Sequence, residues 1–103
     1  MNILFINACV RGDESNTLKL CHAALAEMKK ADPSAQIVEV NLDLDRPEPL
    51  HPELMRKRSD LRAAGDFTDP MFDYAKQFSN ADRIVIGAPY WDLSLPAAFK
   101  IYI

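Results

Sequence analysis

Apolar positions in this chain alternate between short unbroken runs and longer stretches in which they recur every three or four residues. Residues 2–6 hold Ile3, Leu4, Phe5 and Ile6 without a polar break. That pattern predicts a strand buried on both faces, as in a parallel sheet covered by helices. Over residues 15–30, Leu18, Cys21, Leu25 and Met28 recur at helical spacing, with Lys19, Glu27 and Lys29 opposite, and Asp32-Pro33 closes the helix. Ile37, Val38, Val40 and Leu42 predict a second strand over 36–42, followed by a proline-rich loop over 43–52. A weak polar helix is expected at about 53–64. Thr68-Asp69-Pro70 has the form of a helix start, with Met71, Tyr74, Ala75 and Phe78 on one face. Ile84-Val85-Ile86 predicts the third strand, and Leu95-Pro96 opens a last helix, where a first-turn proline costs no intrahelical bond.

The order β-α-β-(helices)-β-α, with right-handed crossovers, predicts a wound α/β sheet. In a flavodoxin-like arrangement the part present has strand order 2-1-3, and the loops after strands one and three flank the topological switch point where ligands bind. Those loops carry the unusual chemistry here.

Composition narrows the partners. With 103 residues, 49% hydrophobic and 26% charged, the chain is read as one soluble globular domain or part of one. A formal net charge of -3 gives no general attraction to nucleic acid or an anionic membrane. The amino-terminal apolar run is too short for a signal peptide or a membrane span, so the cytoplasm is expected. The two cysteines, Cys9 and Cys21, fit no zinc spacing and are expected to be reduced thiols. With only Gly12, Gly65 and Gly87, neither a Walker A loop nor a G-x-G-x-x-G turn is possible.

The first loop ends in Ser15-Asn16-Thr17, three hydrogen-bonding side chains at a helix amino terminus. This arrangement serves equally as a phosphate site or as an ordinary N-cap. Arg11 adds positive charge nearby, while Asp13 and Glu14 oppose a strongly cationic pocket. In the second loop, Pro89-Tyr90-Trp91-Asp92-Leu93-Ser94-Leu95-Pro96, two aromatics flanked by prolines are placed to border a planar ring. Asp92 either braces the loop or faces the ligand. His22 and His51 have no nucleophile placed beside them, Asp43 and Asp45 lack a third metal ligand, and Arg56, Lys57, Arg58 and Arg62 form a solvated face. No metal site and no catalytic acid, base or nucleophile is expected.

Asn7-Ala8-Cys9-Val10-Arg11, followed by Ser15-Asn16-Thr17, and the stretch from Ala88 through Lys100 resemble the flavodoxin-like NAD(P)H dehydrogenases and quinone reductases, including the FMN-dependent azoreductase branch. The resemblance implies FMN as cofactor, with Cys9, Arg11, Ser15, Asn16 and Thr17 on the phosphate side. It places Pro89, Tyr90, Trp91, Asp92 and Leu93 along the isoalloxazine. Cys9 stands where the family commonly has serine, and Asp92 where many azoreductases have asparagine. Also implied are NADH or NADPH as donor, a quinone or similar acceptor, and a homodimer. The family's domain continues through two more strands, so residues 1–103 are expected to be the N-terminal portion of a single domain, cut before strands four and five. A half-domain of this kind has a second possible role, as a non-enzymatic module that binds a partner or a phosphorylated ligand.

Overall fold

The computed structural model describes residues 1–9, 14–89 and 95–103. Strand β1 (Asn2–Asn7) lies at the centre of a three-stranded sheet with β2 (Gln36–Asn41) on one side and β3 (Arg83–Gly87) on the other. Both pairings are parallel, so the order is the expected 2-1-3. The remaining elements are α1 (Asn16–Ala31), a single turn α2 (Leu42–Asp45), α3 (Pro52–Ala63), α4 (Asp73–Asn80) and α5 (Ala97–Tyr102), with a 3-10 turn (Pro70–Phe72) leading into α4.

The uninterrupted apolar run of β1 is explained by two cores, one on each face. Ile3 and Phe5 pack with Cys21, Leu25 and Ala35 under α1, with Leu18, Met28 and Val85 at the margin. Leu4 and Ile6 pack with Ala8, Val40, Leu42 and Phe99 on the other face, flanked by Tyr74 and Tyr102. Every residue from Ile3 to Asn7 is buried, whereas the flanking strands leave Ile37, Val38 and Ile86 exposed. At about 25 cal/mol per Å² of apolar surface, β1 therefore carries most of the hydrophobic stabilisation of the sheet. Among the described residues β3 pairs only with β1, so its outer edge presents free backbone groups.

Two boundaries differ from the sequence pattern, each for a local reason. The second strand stops at Asn41, whose Oδ1 accepts from the amides of Asp43 and Leu44 and starts α2 inside the expected loop. Leu42 is buried as the first residue of that turn rather than as a strand residue. The α4 segment opens as a 3-10 turn, capped by Asp69, whose Oδ1 accepts from Met71 N two residues on. Of the expected apolar face, Met71 and Tyr74 are half-buried, but Ala75 and Phe78 are exposed. Helix α3 is close to its expected span, N-capped by His51 and ended by Gly65 at φ 69, a conformation favouring glycine.

Gly87 has a different role. A Cβ placed on it would lie 2.8 Å from Cys21 Sγ, 3.3 Å from Cys9 Sγ and 3.4 Å from Phe5 Cε1. The bare backbone is what lets α1 settle onto the end of β3. Gly87→Ala is expected to destabilise the fold by about 1–3 kcal/mol through overpacking, read as a lower urea midpoint with an unchanged slope. A second expectation concerns acid. Hydrogen bonds hold three carboxyls below the usual carboxylate range: Asp32 through the Ser34 hydroxyl, Asp66 through the Thr68 hydroxyl, and Asp69 through the Met71 amide and then Lys57. Their folded values lie below the unfolded ones, so their contribution is complete above about pH 4 and lost as pH falls through the folded values. Urea midpoints measured down that range should fall, and the fall should be shallower in a triple Asp32→Asn, Asp66→Asn, Asp69→Asn variant.

Candidate functional site

The two loops singled out by sequence leave the sheet from adjacent strand ends. Asn7 at the end of β1 is the register partner of Gly87 at the end of β3, and Ala8 N donates to Gly87 O at 2.8 Å. From β1 the chain runs out to β2 on one side, while β3 lies on the other. The gap between β1 and β3 is therefore the switch point of this sheet, where connections diverge and open a crevice at the carboxyl edge.

On the β1 side, Ser15 is the N-cap of α1. Its Oγ accepts from Leu18 N at 3.1 Å, and its carbonyl accepts from Lys19 N at 3.3 Å. Ser15 is buried, Thr17 half-buried and Asn16 exposed. Capping does not exhaust this helix end. The amides of Asn16 and Thr17 occupy the first two helical positions, which have no intrahelical acceptor, and the Ser15 hydroxyl proton remains available to donate. No acidic residue lies in the first turn, so the positive amino-terminal end is not offset from within the helix, while Lys29 and Lys30 offset the negative end in the last turn.

Cys9 is buried and has a structural commitment. Its amide donates to Asn7 Oδ1 at 2.9 Å and its thiol to Gly87 O at 3.5 Å, so its donors fasten the start of the loop to the end of β3. Asn7 and Gly87 were not singled out as site residues by sequence, although both shape this corner. The signal for Gly87 was a glycine ending an apolar strand, which marks a close approach by another element. Cys21 is also buried, and burial, followed by the charge of Cys9, pushes its thiol pKa up. Both cysteines are free thiols.

On the β3 side, Pro89 is half-buried, and Pro96 is buried at the N-cap of α5, its carbonyl accepting from Phe99 N at 3.1 Å. Arg11 and the residues Tyr90, Trp91, Asp92 and Leu93 lie outside the described residues. Cys9, Ser15, Asn16, Thr17 and Pro89 therefore belong to segments leaving one corner of the sheet. His51 is not part of it. Its Nδ1 accepts from Leu54 N at 3.3 Å, which places the ring proton on Nε2 facing Glu48 Oε1 at 2.9 Å. His22 lies on α1 with its ring edge-on to Phe5.

A cavity of about 1340 Å³ lies elsewhere, between α3, α4 and the end of α5. Leu54, Phe67, Phe72 and Tyr102 line it, and none of the described residues of the two switch-point loops does. The Tyr102 hydroxyl is buried without a hydrogen-bond partner, and burial, then the neighbouring Tyr74, raises its pKa. This is a packing gap with an open side, and the convergent donors that orient a ligand are at the sheet corner instead.

The fold has close counterparts of known structure. The azoreductase from Bacillus anthracis str. Sterne superposes with a TM-score of 0.82 at 26% identity, over 99% of this chain and 53% of that one. Azoreductase AzrA gives the same values. Among curated proteins, an FMN-dependent NADH:quinone oxidoreductase of Clostridium perfringens (strain SM101) is 32% identical over 98% of this chain and 52% of its own length. An enzyme of the same name from Coprothermobacter proteolyticus is 30% identical, over 97% and 50%. This chain thus spans about half the length of the curated relatives it matches. The family model of the flavodoxin-like fold, Flavodoxin_2, matches residues 1–103, and the chain belongs to that family.

Proposed function

We propose that this chain contributes the phosphate side and one ring side of an FMN site in an NAD(P)H-dependent oxidoreductase of the quinone reductase type. The observation that carries the reading is the corner itself: the donor-bearing start of α1 and the segment opening at Ala88-Pro89 leave from paired strand ends, Asn7 and Gly87. The similar proteins named FMN-dependent NADH:quinone oxidoreductase and azoreductase support it.

The residues present fit such a group. Two unpartnered amides, the Ser15 hydroxyl and the Asn16 and Thr17 side chains form a neutral donor set suited to a phosphate dianion, helped by the positive end of a sixteen-residue helix. Arg11, which precedes the helix in sequence, would add a cation, and Cys9 is held against Gly87. Pro89 begins the ring-side segment, and Tyr90, Trp91, Asp92 and Leu93 would border the isoalloxazine. When bound, FMN would supply the hydride chemistry between NADH or NADPH and a quinone or similar acceptor. This chain binds, orients and shields the ring, and none of its side chains is assigned as acid, base or nucleophile. In this reading residues 1–103 are the N-terminal portion of one flavodoxin-like domain that works in the cytoplasm as a homodimer.

Protein carrying the whole flavodoxin-like domain, of which residues 1–103 are a part, should take up FMN, show its visible absorption, and oxidise NADH or NADPH with a quinone acceptor only when FMN is present. Flavin uptake without turnover would instead favour a binding module. Thr17→Ala should weaken FMN binding about tenfold, as for one charge-assisted hydrogen bond, while leaving riboflavin binding unchanged. Titrations of flavin fluorescence with both ligands read this directly. Equal losses for the two flavins would remove Thr17 from the phosphate site.

A further inference from the structure

Cys9 and Cys21 are twelve positions apart in sequence, yet both sulfurs approach the same bare backbone. The position a Cβ on Gly87 would occupy lies 2.8 Å from Cys21 Sγ and 3.3 Å from Cys9 Sγ, so both thiols crowd the point where that methyl is missing. Both residues face the α1 side of the sheet, together with Phe5 and Gly87, and a thiolate at Cys9 acts electrostatically on Cys21. Neither thiol is used in the proposed flavin site as a reacting group. Two thiols held this close in a dry seat have a chemistry of their own.

We propose that Cys9 and Cys21 form a redox dithiol, converted by a hydroperoxide into a reversible intramolecular disulfide that ties the loop after β1 to α1. The sulfur of Cys9, deprotonated, attacks the hydroperoxide oxygen; the O–O bond breaks, the alcohol (water, from hydrogen peroxide) leaves, and Cys9 becomes a sulfenic acid. The sulfur of Cys21 then attacks the Cys9 sulfur. The S–S bond forms, the S–O bond breaks, and the departing hydroxide leaves as water with the Cys21 proton. Two thiols lose two electrons and the hydroperoxide gains them. Both cysteines are buried, and Cys21 serves as the resolving thiol because burial, then the charge of Cys9, pushes its pKa up and keeps it protonated until Cys9 has reacted. Oxidation exchanges the Cys9 thiol bond to Gly87 O for a covalent link spanning the whole loop up to Ser15 and the first turns of the helix. The proposal is independent of whether that loop binds FMN.

The test uses the full reduced chain in native buffer, exposed to hydrogen peroxide, then alkylated and digested with trypsin. Cleavage after Arg11, Lys19 and Lys29 puts the cysteines on separate peptides, 1–11 and 20–29. The expected result is loss of both alkylatable thiols and appearance of the 1–11/20–29 pair, two hydrogens lighter than the sum of the reduced peptides. The link should form at a rate independent of protein concentration and be reversed by dithiothreitol. In Cys21→Ser, Cys9 should accumulate as a sulfenic acid trapped by dimedone. The idea is overturned if the linked pair appears only in urea, or if both thiols stay alkylatable in the native chain. It is equally overturned if native wild-type chain yields dimedone-labelled or over-oxidised Cys9 in place of the link.

Discussion

The structure depends on how closely α1 can approach the junction of β1 and β3. At that junction Ala8 N bonds Gly87 O, Asn7 pairs with Gly87, and the Cys9 thiol reaches the same carbonyl. Gly87 O thus accepts from two donors on the chain leaving β1, while the open face of Gly87 receives the side chain of Cys21 from α1. A buried carbonyl left unpaired costs roughly 1–3 kcal/mol, so this double acceptance holds Ala8 and Cys9 against the end of β3. The seat of α1, whose first turn carries the candidate phosphate donors, thus depends on packing at a residue with no side chain.

This dependence explains an asymmetry in what could be read from the residues alone. β1 and α1 were legible because both patterns are long and answer to a large burial: Ile3, Leu4, Phe5 and Ile6 to two cores, Cys21 and Leu25 to one. Crossover handedness gave a wound sheet, and the 2-1-3 order came from the flavodoxin-like arrangement, which the structure has. Leu42 misled because an apolar residue continuing the alternation of Val38 and Val40 looks like strand, whereas the Asn41 side chain captures two amides and turns the backbone. Phe78 misled differently. Its helical spacing is correct, but it stands on the wall of the open cavity between α3, α4 and α5 and stays exposed there.

The site itself was only partly legible. Ser15 as a cap, the openness of Asn16 and the place of Pro89 after β3 follow from local rules about helix starts and strand ends. The convergence of Cys9, Cys21 and Gly87 does not, because it is a tertiary contact made possible by an absent Cβ. Cysteine spacing of twelve carries no signature when one partner is on a loop. Cys9 was assigned to the phosphate side by resemblance, and the geometry adds a second duty: its donors hold the strand end, so whatever the loop binds is bound by a segment anchored at Cys9.

Anchoring of this kind links stability to recognition in one place. Cys9, held by Asn7 Oδ1 and Gly87 O, and Ser15, held by its bond from Leu18 N, are fixed before any ligand arrives, so the donors they carry have less freedom to lose on binding. The same fastening makes the corner sensitive to small changes in volume or covalent state. A methyl at Gly87 or a bond between the two sulfurs acts on the seat of α1, and through it on the amides of Asn16 and Thr17, without touching them. The sheet edge and the helix start are in this sense one mechanical unit, and the buried sulfurs at its centre are the groups through which its geometry can be altered.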